Sequence, residues 1–137
     1  MKLLLALALA TSLCVAGPAV EPPRELRIAR GQKSVTVHDS VVRASTQRWR
    51  FSARAGQQAQ FRLSSLERNA VFEVWMPGWK LLPLPDDQVL GEHLPGASTA
   101  DEVTRWEGAL PVTGEYLVEV TGTRGNASYR FTLKIDP

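Results

Sequence analysis

The sequence has 137 residues, 44% of them hydrophobic and 22% charged, with a formal net charge of +2. That balance excludes an intrinsically disordered chain, which lacks the apolar surface needed to offset its conformational entropy. One cysteine and two histidines leave too little material for a disulfide framework or a zinc centre.

The opening MKLLLALALATSLCVAG places Lys2 before an apolar run, Leu3 to Ala10, followed by small residues. This is the layout of a secretory signal peptide, too short and wrongly flanked to span a bilayer. Cleavage after Ala16 and after Ala19 both leave small residues near the scissile bond, and Pro18 sits awkwardly for either. The expected organisation is a signal peptide over residues 1–19 and one domain over 20–137, about 120 residues exported to the periplasm or secreted from a bacterium. A lipid anchor at Cys14 would want a small residue before it, and Leu13 stands there. The mature chain then has no cysteine, and its stability rests on a packed core; a chain of this size buries roughly two-thirds of its unfolded surface.

Beyond that segment the pattern is strand after strand. LRIA and KSVTVH flank Arg30-Gly31-Gln32. In QRWRFSA, Trp49, Phe51 and Ala53 fall on one face and Arg48, Arg50 and Ser52 on the other, as the strand period of two requires. AQFRLS repeats the scheme, with Ala59, Phe61 and Leu63 inward. The glycine-containing connection between them, residues 54–58, reads as a hairpin loop. NAVFEVW runs into the turn Met76-Pro77-Gly78, with Phe72, Val74 and Met76 inward and Trp75 outward.

Residues 80–102 carry Pro83, Pro85, Gly91, Pro95 and Gly96 among several acids and read as a long loop. Strands resume in EVTRWEGAL and in TGEYLVEVTGTRGNASYRFTLKI, where Tyr116, Val118 and Val120 share one face and Tyr129, Phe131, Leu133 and Ile135 another. Gly125 and Asn126 suit the positive φ of a hairpin turn between them, but turn geometry does not require Arg124. Seven to nine short strands with turn signals between them predict an all-β fold, an antiparallel, jelly-roll-like β-sandwich.

Charge is unevenly distributed. Between Arg43 and Arg68 there are six arginines and one acid, Glu67; between Asp86 and Glu119 there are eight acids and one arginine, Arg105. The two halves attract one another across neighbouring strands, or form a bipolar surface that steers a charged partner.

Chemistry finds little support. His38 and His93 are far apart and belong to no HExxH or CxxC arrangement, so no metal or cofactor is expected. No GxSxG element positions a nucleophile, and Asp86-Asp87 and Asp101-Glu102 sit in polar surroundings where both members stay ionised. The arginine-rich strands lack interleaved outward aromatics, which argues against nucleic acid, because Trp49 and Phe51 point the other way. An outward Trp75 is either an anchor for a sugar ring or protein, or a side chain covered by the long loop.

An ordered set of residues carries a family resemblance. Gly56-Gln57, then Phe61 to Leu63, then Phe72 to Pro77-Gly78, then WEGALPVTGEYLVEV, then Thr123-Arg124, then YRFTLKI resembles the bacterial periplasmic inhibitors of g-type lysozyme. That family is similar in turn to the pre-peptidase C-terminal β-sandwich domain. The likeness runs from about Arg24 to Asp136, essentially the whole mature chain.

The resemblance implies a non-catalytic protein whose loops enter the substrate cleft of a g-type lysozyme or another muralytic enzyme. Arg124 matches the arginine of the family's final loop, and Asn126 shares that loop. A further family arginine has no counterpart here, Ser128 being the nearest position, and the family's tyrosine falls near Ala44, beside Arg43. Arg124, Asn126, Arg43 and Trp75 are therefore the expected partner-binding residues. The alternative is a pre-peptidase-type module that binds glycan or cell-wall material through Trp75 or Trp79 and the basic strands.

Overall fold

A computed structural model describes residues 21–137; the expected signal segment, its cleavage sites and Cys14 lie outside the described residues. Ten strands follow one another: β1 (Arg24–Glu25), β2 (Ser34–Val41), β3 (Thr46–Ala53), β4 (Gln58–Ser65), β5 (Ala70–Trp75), β6 (Lys80–Leu81), β7 (Val89–Leu90), β8 (Arg105–Ala109), β9 (Gly114–Gly122) and β10 (Ala127–Asp136). The count exceeds the expected seven to nine because β1, β6 and β7 have two residues each, too few to show a period. Among the described residues the only helical element is a 3-10 turn, Thr99–Asp101.

Two four-stranded sheets form the sandwich, one ordered β1-β3-β9-β5 and the other β2-β10-β4-β8. All pairings are antiparallel except that of β1 with β3. The long strands alternate between sheets along the chain, and this corrects two expectations. Residues 54–58 do not close a hairpin: β3 and β4 lie in opposite sheets, and Gly56 N–H and Leu110 N–H instead donate to Leu110 O and Gln57 O at 2.8 Å each. Thr123–Asn126 is likewise a crossing from β9 to β10, not a hairpin tip. Alternation fixes which face a residue occupies, but it is silent on which strand lies alongside.

Inward residues behave as their period predicts. Trp49, Phe51, Ala53, Ala59, Phe61, Leu63, Tyr116, Val118, Val120, Tyr129, Phe131 and Leu133 are all buried. Rings from the two sheets interdigitate: Phe61 and Phe131 of one meet Phe72 of the other, with centroids 5.9 and 5.4 Å apart. Burying each such side chain contributes about 1.5–3 kcal/mol. A polar contact also ties the layers, because Trp49 Nε1–H donates to the Tyr129 hydroxyl at 2.9 Å.

The stretch expected to be a long loop is a folded flap. β6 pairs with β7, and the backbone then runs along the free edge of β5. Met76, Val74 and Phe72 donate their N–H groups to Glu92 O, Ala97 O and Val103 O at 2.8–3.0 Å. That edge is closed, as exposed strand edges need to be. Prolines and glycines set the turns, while Leu94, Ala97 and Val103 are buried and anchor the segment. Gly114 takes part: at φ 147° it faces Pro77 so closely that a Cβ would lie 2.7 Å from the Pro77 Cβ.

Candidate functional site

Three sheet-crossing loops meet at one end of the sandwich: 42–45 between β2 and β3, 66–69 between β4 and β5, and 123–126 between β9 and β10. Asn69, buried at the centre, holds them together. Its side-chain amide donates to Arg124 O at 3.1 Å and Asn126 O at 3.0 Å, and its own carbonyl accepts Thr123 N–H at 2.8 Å. The first loop joins through Arg43 N–H, which donates to Asn126 Oδ1 at 2.7 Å. Asn126 thus serves the turn with its backbone and the neighbouring loop with its side chain.

The rim so formed is basic and partly apolar. Arg43, Arg68 and Arg124 are exposed, and among the described residues none of them makes an ion pair. Arg124 lies along the adjacent turn, donating from one terminal nitrogen to Glu67 O at 3.0 Å, which leaves most of its five N–H donors available. Leu66 is 97% exposed and Val42 62%, so the loop tips offer aliphatic contact area beside the guanidinium groups. Ala44 and Arg68 adopt positive φ, 61° and 50°, a conformation that costs non-glycine residues about 1 kcal/mol or more and persists only where surroundings impose it.

A second charged centre lies under the flap, on the outer face of the β1-β3-β9-β5 sheet. Glu119 has a side chain only 7% exposed and accepts from Arg48 Nε at 2.9 Å and Trp75 Nε1 at 2.7 Å. Arg48 also reaches Asp87 of the flap at 2.7 Å. His93 lies against Trp75, ring centroids 3.7 Å apart, and contacts Glu73 Oε2 at 2.9 Å. Burial pushes the Glu119 carboxyl above the ordinary glutamate range; Trp75 and Arg48 oppose the rise, and Glu73, directly opposite on β5, adds to it. Burial disfavours the Arg48 charge too, but Asp87 and Glu119 outweigh it and hold its pKa above the usual arginine value.

The structure therefore brings Arg43, Arg124 and Asn126 together and leaves Trp75 apart, at the far end of β5 and roughly 16 Å along that strand from the rim. All four tryptophan N–H groups have acceptors within the chain; those of Trp79 and Trp106 donate to Glu115 O and Pro95 O at 3.0 and 2.9 Å. Sequence reasoning passed over Arg68, Leu66 and Val42. The available signal was Leu66 itself, a large apolar residue in the otherwise polar turn SSLERN.

The uneven charge resolves both ways. Arg48 and Arg50 pair across the ladder with Glu119 and Glu115, the mutual attraction expected between the two halves. Arg43, Arg62 and Arg68 make no such pair among the described residues. No group of three or more His, Cys, Asp or Glu suited to a metal ion occurs among the described residues, and no helix there is long and apolar enough to cross a membrane.

Fold and rim together define an all-β sandwich that presents a basic, partly apolar end on loops locked to one another. Its architecture is that of known lysozyme inhibitors. Aeromonas hydrophila PliG, a periplasmic lysozyme inhibitor of g-type lysozyme, superposes with a TM-score of 0.63 at 23% identity over 83% of this chain and 96% of its own. Salmonella Typhimurium PliG gives 0.59 at 19% identity over 85% and 100% of the two chains. A mutant of Escherichia coli PliG gives 0.59 at 16% over 83% and 97%. The fold implied by the resemblance in sequence is thus the fold observed. No protein-family model matches the chain, and no curated protein sequence does.

Proposed function

We propose that this chain is an exported, non-catalytic inhibitor of a g-type lysozyme, acting in the periplasm and inserting the 42–45, 66–69 and 123–126 loops into the enzyme's substrate cleft. The observation that carries the reading is the bonded rim with its unpaired Arg43, Arg68 and Arg124, on a fold like that of PliG.

The mechanism needs no bond-making chemistry. A guanidinium is a rigid fork of donors suited to a carboxylate, and enclosure in a cleft strengthens that charge-assisted bond relative to water. Arg124 is already oriented by Glu67 O, and Asn69 has locked its backbone, so little freedom remains to be lost on binding. Leu66 and Val42 add apolar contact at the edge. Asn126 acts through Arg43, fixing that loop by its side-chain bond. Trp75 supports the flap rather than the rim.

Glycan binding through Trp75 or Trp79, the alternative reading, has less support, because both indole N–H groups are engaged within the chain and Trp75 is half-covered by His93. The test is inhibition of purified g-type and c-type lysozymes by the mature protein. Stoichiometric loss of g-type activity is expected, and Arg124→Ala should weaken it by about 2–5 kcal/mol, mostly through faster dissociation. Unchanged g-type activity would refute the function; inhibition untouched by Arg124→Ala would refute the site.

A further inference from the structure

Among the described residues no flap covers the outer face of the β2-β10-β4-β8 sheet. Its outward basic residues are His38 on β2, Arg130 and Lys134 on β10, Arg62 on β4 and Arg105 on β8, set among serines, threonines and glutamines, with the acids Glu107 on β8 and Asp136 on β10 farther from the rim. The ladder places Arg62 directly opposite Arg105, and Arg130 opposite both His38 and Ser64. Like charges directly opposite one another destabilise a sheet. Here they stand without relief, since among the described residues no carboxylate lies within ion-pair distance of Arg62, Arg105, Arg130 or Lys134. An open groove of about 490 Å³ runs between Arg62, Arg105, Arg130, Ser64, Thr104 and Thr132. A second of about 490 Å³ shares Ser64 and Arg130 and leads past His38 and the carboxylate of Asp39, which Arg24 pairs, to Leu66 at the rim.

We infer that this trough is a binding site for a linear anionic glycan bearing an acidic group on successive sugars, centred on Arg62, Arg105 and Arg130 rather than on the lysozyme-directed rim that it adjoins at Leu66. The cations come from adjacent strands, whose spacing of about 4.8 Å is close to the length of one pyranose unit. Each guanidinium offers a bidentate grip on a carboxylate or ester oxyanion, and the hydroxyl groups of Ser64, Thr104 and Thr132 suit sugar hydroxyls. The shape favours a chain over a bilayer, because the positive charge follows the trough while Glu107 interrupts it along β8. Among the described residues no Phe, Tyr or Trp side chain faces outward from these four strands, since Trp106 packs on the core side against Phe61 with its N–H held by Pro95 O, so base stacking has no platform.

The probe is polygalacturonate, with dextran as its neutral counterpart, titrated against the mature protein at low and high salt. Binding of polygalacturonate but not dextran is expected, weakening as salt rises. The combined change Arg62→Ser, Arg105→Ser and Arg130→Ser should lower that affinity about tenfold or more and leave g-type lysozyme inhibition unchanged. The matching triple lysine variant, which keeps every charge, should bind between the two. No retention of polygalacturonate, equal binding by the serine variant, or full binding by the lysine variant would each overturn the site. So would tighter binding to vesicles of anionic phospholipid or to a single-stranded oligonucleotide, and so would parallel loss of lysozyme inhibition, which would assign the face to the enzyme interface.

Discussion

The two outer faces of the sandwich carry similar charged sequences and opposite fates. On the β1-β3-β9-β5 sheet the flap lies over the strands, and the outward charges Arg48, Glu119, Glu73 and Asp87 are bonded into one network with Trp75 and His93. On the β2-β10-β4-β8 sheet no described segment covers the strands, and among the described residues Arg62, Arg105 and Arg130 stand unpaired. A covered charge must find partners, since desolvation is otherwise too costly; an uncovered one is under no such pressure, so its lack of partners is available for function.

Arg48→Ala should produce the largest difference between the faces. It would leave Glu119 buried without its compensating charge, at a cost of about 3–5 kcal/mol, read as a large drop in the denaturant midpoint. A loss below about 1 kcal/mol would mean that water reaches Glu119 and the flap does not seal. The pH profile sharpens the same point. Because Glu119 titrates above its unfolded value, the folded state holds its proton more tightly. Its contribution is therefore fully present below the unfolded pKa and is lost as pH rises through the folded one. Glu119→Gln, which keeps an acceptor for Trp75, should flatten that fall in stability across the mildly acidic range. An unaltered profile would place the titration elsewhere. On the open face the effect is smallest and of opposite sign: Arg105→Glu converts the pair with Arg62 into an attractive one and should stabilise by about 0.2–1 kcal/mol in thermal unfolding.

Much of this architecture was legible in the sequence because a strand with one buried face must alternate, and Trp49, Phe51, Phe61 and Leu63 do so without exception. What alternation could not convey was pairing, so both tight crossings resembled hairpins. The flap was hidden for another reason: Leu94 and Ala97 anchor it singly, between prolines and glycines, with no period to reveal them. One clue was present in YLVEV, where Leu117 at an outward position interrupts the alternation expected of a half-exposed strand and is buried on the flap's side of the sheet with its outward neighbour Glu119. At the rim, Arg124 stood out because turn chemistry left it unexplained, and Arg43 stood out only through the resemblance in sequence, which drew attention to its neighbour Ala44. Arg68 and Leu66 join them only through the fold, since Asn69 gathers loops more than 50 residues apart in the chain.

The strict exchange of sheets from one long strand to the next also governs how the molecule comes into being. β9 is the strand that joins β3 to β5, and β10 the one that joins β2 to β4. Until residues 114–136 arrive, β2 and β5 have no strand beside them in the sheets, while β3 and β4 have only β1 and β8, and among the described residues the only consecutive strands that pair are the two-residue β6 and β7. Folding of this chain is accordingly a late, concerted event dominated by distant contacts, of the slow millisecond-to-second kind. A polypeptide threaded N-terminus first through a narrow channel would stay pliable for most of its passage and acquire its shape only as its final strands emerge.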